Sequence, residues 1–152
     1  MKEIDIQVVS DYDKIVSIWS SFADCFDGRI DICSSKFLKL MHKYCEKAIT
    51  CCIYCNREII GACTFYANDN KFGKAFISLL AVREDYRGNG YAGYLLRYVF
   101  HKSIEMNMKT ISLEVLPQNT NAINLYLKNG FKLTSEKGEK IEMEKVLCQE
   151  LM

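Results

Sequence analysis

Hydrophobic and polar positions follow two different periods along the first third of this chain. Ile4, Ile6 and Val8 alternate with polar residues, which predicts a β-strand over Ile4–Val9. Ser10 and Asp13 then resemble a helix-capping box with Asp in place of Glu. The helix they open carries an apolar face made of Ile15, Ile18, Trp19 and Phe22.

The central third predicts a helix followed by strands. Ser34 is placed to cap a second helix, whose apolar residues are Phe37, Leu38, Leu40 and Met41. Two strands, Ile49–Cys55 and Glu58–Tyr66, are separated by a short turn at Asn56 and Arg57. After a polar turn, residues 75–82 form a nearly all-apolar run that predicts a central strand.

The last third alternates helices and strands. An amphipathic helix over residues 91–104 precedes a strand at Thr110–Val115, and Asn119 or Thr120 caps a helix that ends at Asn129 and Gly130. Residues 131–134 and 141–147 predict a final antiparallel pair around Lys137 and Gly138. The order predicts a single α/β (α+β) domain over residues 1–152, with a mixed, mostly antiparallel sheet of about seven strands and about four helices.

Composition narrows the classes of partner. The 152 residues are 49% hydrophobic and 26% charged, with a formal net charge of +1, which argues against an electrostatic nucleic-acid or membrane binder. The N-terminus carries no apolar signal-peptide core, and no run approaches the ~18 apolar residues of a membrane span. We therefore expect a cytoplasmic protein with neither nucleic acid nor membrane as a partner.

The eight cysteines require an explanation of their own: Cys25, Cys33, Cys45, Cys51, Cys52, Cys55, Cys63 and Cys148. They show no repeating framework, which favours free thiols that act as buried small hydrophobes. The alternative is a zinc or redox site at Cys52 and Cys55. Residues three apart on a strand point to opposite faces, and His42 and His101 are distant in sequence, so we expect no metal.

The segment from residue 87 to 92 is the strongest candidate for chemistry. It reads Arg-Gly-Asn-Gly-Tyr-Ala and joins the apolar central strand to an amphipathic helix. Glycines at that junction leave backbone N–H groups bare at a helix N-terminus, which favours an anion. Arg87 adds a planar, permanently charged fork that suits phosphate oxygens. The segment therefore predicts a ligand that carries phosphate.

A dinucleotide site is a competing interpretation of the same glycines. Gly88, Gly90 and Gly93 satisfy G-x-G-x-x-G, and Glu114 lies about 20 residues further on. Against it, an apparent antiparallel hairpin precedes the motif, and the charged loop 83–87 separates strand from glycine. Only about 60 residues follow, which is short for a second nucleotide-binding half. A purely structural glycine turn is the other alternative.

Two blocks resemble the GNAT acetyltransferase superfamily. Residues 86–92, Tyr-Arg-Gly-Asn-Gly-Tyr-Ala after Leu-Ala-Val, resemble its [Q/R]-x-x-G-x-[G/A] pyrophosphate loop. Residues 119–131 resemble its N-x-x-A-x-x-L-Y-x-x-x-G-F segment. The resemblance implies a GNAT-like fold in which two parallel strands splay apart at the acyl-CoA site. It also implies an acetyl-CoA-dependent N-acetyltransferase without a metal.

The resemblance carries roles over to particular residues. Those implied for acetyl-CoA are Leu80, Ala81, Val82, Arg87, Gly88, Asn89, Gly90, Tyr91, Ala92 and Asn119. Tyr126 matches the proton donor to the departing thiolate, and Glu114 is the candidate general base. The alternatives are a core aromatic for Tyr126 and an exposed strand carboxylate for Glu114, since Ile111, Leu113 and Val115 take the core face.

The acceptor is expected to be a primary amine, either a small molecule or a peptide N-terminus or lysine, attacked directly in a ternary complex. The family builds its acceptor groove from the first two helices and nearby loops. Asp24, Asp27 and Asp31 are candidates to attract a cationic amine, and Arg29 to hold an anionic group, against a solvated loop as the alternative. A non-catalytic acyl-CoA sensor remains a competing function, and the final strand pair is a candidate edge for a homodimer.

Overall fold

The computed structural model describes residues 3–26 and 28–147, which form seven strands and four α-helices. Short 3₁₀ turns cover Ala23–Phe26 and Glu84–Tyr86. The main elements are β1 (Ile4–Val9), α1 (Tyr12–Ser21), α2 (Ser35–Lys47), β2 (Ile49–Cys55), β3 (Glu58–Tyr66), β4 (Lys74–Val82), α3 (Tyr91–Glu105), β5 (Thr110–Val115), α4 (Thr120–Lys128), β6 (Lys132–Lys137) and β7 (Lys140–Val146). This order confirms the predicted one.

The strands form one seven-stranded sheet in the order β1-β2-β3-β4-β5-β7-β6. One pair is parallel, β4 with β5, as a crossover through α3 requires. The predicted mixed, mostly antiparallel sheet with four helices is therefore confirmed. The dinucleotide interpretation is wrong, because the dinucleotide-binding fold has a mostly parallel sheet and the sheet of this chain is mostly antiparallel.

By their contacts the residues fall into two compact units. The N-terminal unit comprises Met1–Thr64 and Leu79–Leu95, and the C-terminal unit comprises Phe65–Ser78 and Leu96–Met152. A single domain over residues 1–152 stays a prediction. In the part of the chain that the structure describes, no helix is both long and apolar enough to span a membrane.

Side-chain caps begin the first two helices of the N-terminal unit. The side chain of Ser34 accepts a hydrogen bond from the Phe37 N–H (3.1 Å), which confirms the predicted cap of α2. The predicted capping box at Ser10 is wrong, because the cap of α1 is Asp11, whose carboxylate accepts from the Lys14 N–H (3.1 Å). Asp11 therefore takes the capping role expected of Ser10.

The turn between β2 and β3 has the geometry that a two-residue hairpin needs. Asn56 and Arg57 both adopt positive φ, 51° and 73°, as in a type I′ turn. This turn was predicted from its position between two strands and is confirmed.

A buried polar chain crosses the core of the N-terminal unit. Trp19 is fully buried, and its indole Nε1–H donates to the Thr64 hydroxyl (2.9 Å). That hydroxyl also lies 2.7 Å from the hydroxyl of Thr50, which is 1% exposed. One threonine oxygen thus satisfies two buried groups and ties α1 to β2 and β3.

The seven described cysteines are free thiols, and Cys148 lies outside the described residues. Burial raises the pKa of Cys51 and of Cys52 to about 12, so both thiols stay neutral at neutral pH. Cys33 is exposed in the turn before α2, so the prediction that the cysteines act as buried hydrophobes is wrong there. Among the described residues no group of three or more His, Cys, Asp or Glu is placed to hold a metal.

In the C-terminal unit the parallel ladder is short. It joins Lys74 to Thr110 and ends where Phe76 pairs with Ser112. β5 nevertheless continues to Val115, paired along its other edge with β7 as far as Ile141. The parallel ladder therefore covers only three residue pairs of the two strands.

The Trp19–Thr64–Thr50 chain predicts a specific cost for losing its central hydroxyl. Thr64→Val keeps the shape but leaves the Trp19 N–H and the Thr50 hydroxyl without this partner in a dry core. We expect a loss of about 1–3 kcal/mol in the free energy of unfolding, measured by urea denaturation. Thr120→Val, at an exposed position in α4, is the control and should change stability by less than ~0.5 kcal/mol. Equal stability of the two variants would contradict the prediction.

Candidate active site

The connection from β4 to α3 depends on two glycines with positive φ. Gly88 has φ 81° and Gly90 has φ 83°, a region that other residues adopt only with strain. The Gly90 carbonyl accepts a hydrogen bond from the Tyr94 N–H (3.0 Å), so it closes the first turn of α3. The glycines thus turn the chain sharply and begin the helix within three residues.

The same turn leaves consecutive backbone donors bare. No described residue accepts a hydrogen bond from the N–H groups of Gly88, Asn89, Gly90, Tyr91 or Ala92. Residues 87–90 are exposed, and a helix of 15 residues follows. Unpaired donors and the positive end of a long helix dipole together favour an anion at this turn.

The loop is held by its own side chains. Arg87 donates from Nε to the Val82 carbonyl at the end of β4 (3.0 Å), so part of its predicted phosphate fork is used within the protein. The Asn89 side-chain amide donates to the carbonyls of Tyr86 (3.2 Å) and Arg87 (3.3 Å). These bonds hold the carbonyls back and leave the N–H groups outward.

Tyr86 anchors the loop to the core of the N-terminal unit. Its ring meets that of Tyr91 edge to face, with centroids 6.1 Å apart, and its hydroxyl donates to Glu58 (3.3 Å). Tyr91 belongs to a buried cluster with Val82 and Ile60. The loop with the bare N–H groups is therefore built on packed residues.

The end of β4 packs closely against a glycine of the neighbouring strand β3. Ala81 and Val82 are each 7% exposed, and Leu80 is half-buried. A Cβ at Gly61 in β3 would lie 3.2 Å from the Ala81 carbonyl and 2.8 Å from Cγ2 of Ile53. Only glycine lets β3 approach β4 this closely.

In the C-terminal unit, Asn119 and Tyr126 both belong to α4. The side-chain oxygen of Asn119 accepts from the Ala122 N–H (3.2 Å), so it caps the helix as predicted. Tyr126 is 8% exposed, and its ring packs edge to face on Phe131 with centroids 5.5 Å apart. This contact explains why Phe131 follows Tyr126 at this spacing, and it holds the tyrosine ring in place.

Glu114 lies on the opposite face of β5 from Ile111, Leu113 and Val115, as predicted. Its carboxylate is 3.6 Å from Lys140 Nζ, and the side chain is 38% exposed. An exposed pair of this kind contributes little to stability. Its role as a base stays a prediction.

The residues predicted to contact the amine acceptor have different surroundings in the structure. Asp31 accepts from the Cys33 N–H (3.0 Å), and Arg29 donates to the Phe26 carbonyl (3.1 Å), so both support the local turn. Asp24 lines a cavity of about 230 Å³ whose other walls are Cys25, Arg83, Glu84 and Arg87. Asp27 lies outside the described residues.

The structure thus groups the predicted residues by unit. Leu80–Val82 and residues 87–92 lie together in the N-terminal unit, whereas Glu114, Asn119 and Tyr126 lie in the C-terminal unit. Sequence reasoning missed Gly61, Tyr86 and Arg83. Each acts through contacts with residues distant in sequence. A sequence signal was available only for Tyr86 and Arg83, since both lie close to the glycine loop along the chain.

This chain is similar to known acetyltransferases. A family model described as the acetyltransferase (GNAT) family matches residues 15–131. The spermine/spermidine N(1)-acetyltransferase of Bacillus subtilis (strain 168) is 28% identical over 105 residues, 65% of this chain and 68% of its own length.

Two solved structures share the fold. The PaiA N-acetyltransferase of Thermoplasma acidophilum, in complex with coenzyme A, has a TM-score of 0.74 at 19% identity and covers 95% of this chain and 99% of its own. A GNAT family acetyltransferase of Elizabethkingia anophelis with acetyl-CoA bound has a TM-score of 0.69 at 21% identity, covering 95% and 98%.

A mixed seven-stranded sheet with one parallel pair, flanked by four α-helices, is a GNAT-like α/β fold. The chain belongs to the GNAT acetyltransferase family. It is an acyltransferase of that family.

Gly61 provides a test of the support behind β4. Gly61→Ala forces a Cβ onto Ile53 and the Ala81 carbonyl, so we expect a loss of about 1–3 kcal/mol in the free energy of unfolding. Urea denaturation measures it. The double variant Gly61→Ala/Ile53→Ala relieves part of the clash. Its loss of unfolding free energy should therefore be smaller than the sum of the losses in the two single variants. Additive costs would show that Ile53 is not what excludes the methyl group.

Proposed function

We propose that this protein transfers the acetyl group of acetyl-CoA to a primary amine, by direct attack in a ternary complex. The observation that carries the proposal is the row of bare backbone N–H groups from Gly88 to Ala92 at the start of α3. They suit the pyrophosphate of CoA, which needs several fixed donors and no metal. Arg87 and Asn89 supply the side chains beside them.

The thioester end would lie along β4. Its backbone, through Leu80 and Val82, offers sheet-like pairing to the pantetheine arm. The N–H of Leu80 is the candidate to polarise the thioester carbonyl and to stabilise the oxyanion. Asn119 is the candidate for a further contact with the arm.

Proton transfers on both sides of the reaction need groups of different kinds. A lysine-like amine with pKa ~10.4 is neutral in only about one molecule in 2,500 at pH 7, so a base is needed. Glu114 is the candidate, directly or through water. Tyr126 is the candidate donor to the leaving thiolate, and because a phenol is ordinarily less acidic than a thiol, it acts by a hydrogen bond in the transition state.

Polyamines are the first acceptors to test. The support is the curated relative, whose name gives spermine and spermidine as its substrates. Peptide N-termini and lysine side chains are the second class, since nothing in the described loop 28–34 selects one amine over another.

The experiment is thermal unfolding with acetyl-CoA, CoA, NAD and ATP in parallel, followed by release of CoA thiol with spermidine, spermine and a short peptide. A ligand at ~100 times its Kd adds about 2.7 kcal/mol, or a few degrees. We expect shifts with acetyl-CoA and CoA, and thiol release with at least one amine. A shift without turnover on any amine favours a non-catalytic acyl-CoA sensor, and the absence of a shift overturns the proposal.

Gly90→Asp tests the anion site directly. It places a carboxylate among the bare N–H groups, so we expect CoA affinity to fall at least tenfold in isothermal titration calorimetry. Gly138→Asp is the matched control, since Gly138 also has positive φ (60°) and both positions have open space around a Cβ. It pays the same backbone cost in the β6–β7 turn and should bind CoA like the wild type. Equal affinity of the two variants would contradict the assignment.

Tyr126→Phe separates chemistry from packing. The ring stays on Phe131 and only the hydroxyl is lost, so kcat should fall at least tenfold while the Kd of CoA changes less than twofold. Tyr54→Phe, a half-buried tyrosine in β2, is the control for removing a hydroxyl. Unchanged kcat would make Tyr126 a core residue.

A further inference from the structure

Arg83 is the first residue after β4, and both its backbone and its side chain make hydrogen bonds. Its N–H donates to the Ile60 carbonyl (2.8 Å), and its carbonyl accepts from the Tyr86 N–H (2.9 Å). Its backbone is therefore fixed at the entrance to the loop that carries the bare N–H groups. The side chain points elsewhere, towards α1.

The guanidinium of Arg83 binds the C-terminal end of α1. Nη1 donates to the Ser21 carbonyl (2.8 Å) and Nη2 to the Ser21 hydroxyl (3.0 Å). The group also lies over the Phe22 ring, 4.3 Å from its centroid. The last turn of α1 has no basic residue of its own, so Arg83 supplies the cation that a helix C-terminus favours.

The chain leaves α1 directly into the 3₁₀ turn Ala23–Phe26, which faces the loop. Asp24 and Cys25 of that turn line the 230 Å³ cavity together with Arg83, Glu84 and Arg87. Cys25 of the turn and Arg87 of the loop thus lie on the same cavity wall. Hydrogen bonds therefore join Arg83 to Ser21 and Arg87 to Val82, and the 3₁₀ turn that follows Ser21 shares the cavity with both arginines.

We propose that Arg83 is a positioning residue for acetyl-CoA binding: by clamping Ser21 and Phe22 it fixes the turn Ala23–Phe26 against Arg87 and so holds the phosphate-binding loop in its bound form. The inference rests on the proposed function. Arg83 acts through other residues and needs no contact with the ligand. Its planar fork is essential, because two acceptors on Ser21 are bound at once.

The fork gives the test its variants. Arg83→Met keeps a stem to pack on Phe22 and removes both hydrogen bonds, whereas Arg83→Lys keeps the charge without the fork. Ser21→Ala removes one of the two acceptors. Arg57→Met, at an exposed turn between β2 and β3, is the control for losing an arginine.

The Kd of CoA alone, measured by isothermal titration calorimetry, is the readout. We expect it to rise roughly tenfold in Arg83→Met and nearly as much in Arg83→Lys, and about threefold in Ser21→Ala. Arg57→Met should match the wild type. In the double variant Arg83→Met/Ser21→Ala the Kd should equal that of Arg83→Met, since both changes break one interaction.

If the clamp is merely structural, the variants at Arg83 and Ser21 will lower the unfolding temperature of the free protein and leave the Kd of CoA unchanged. That result overturns the proposal. Wild-type affinity in Arg83→Lys overturns it too, because charge alone would then suffice. If Arg83→Met does not fold, Arg83→Lys and Ser21→Ala carry the test. Failure of the wild type to bind CoA would instead refute the proposed function itself.

Discussion

Five consecutive backbone N–H groups, from Gly88 to Ala92, have no acceptor within the described chain. Contacts throughout the N-terminal unit hold the loop in the conformation that leaves these groups unpaired. Positive φ at Gly88 and Gly90 turns them outward, and side-chain bonds from Arg87 and Asn89 hold the neighbouring carbonyls back. Preorganised donors of this kind cost no rearrangement when an anion binds. The loop therefore presents its hydrogen-bond donors from the backbone, and the side chains around it mainly fix the backbone.

That backbone is fixed from several distant points of the sequence. Gly61 lets β3 approach the end of β4, Tyr86 packs on Tyr91, and Arg83 joins the start of the loop to the end of α1. Each contact is modest, yet each restrains a different part of the same turn. A site built this way should be sensitive to substitutions that touch no ligand.

The sequence located the candidate site better than it explained it. The Arg-Gly-Asn-Gly motif marked the bare backbone donors because positive φ and unpaired N–H groups are local properties of a few residues. For Tyr126 and Glu114 the sequence offered a catalytic and a structural interpretation, and the catalytic one stays a prediction. Tyr126 packs on Phe131, and Glu114 pairs with Lys140 at the surface. Local pattern does not separate these roles, because a buried ring or a paired carboxylate can also do chemistry.

The sequence by itself determined the elements, because their signals are short-range. The period of apolar residues, the Ser34 cap and the Asn56-Arg57 turn each depend on neighbours within a few positions. Asp11 rather than Ser10 caps α1, a choice between adjacent residues that local pattern left open. Only the tertiary structure decided that the parallel ladder ends at Phe76 and Ser112, that Thr64 satisfies Trp19 and Thr50, and that Arg83 reaches Ser21. Those contacts join residues far apart along the chain, and their partners are chosen by the packing of whole strands and helices.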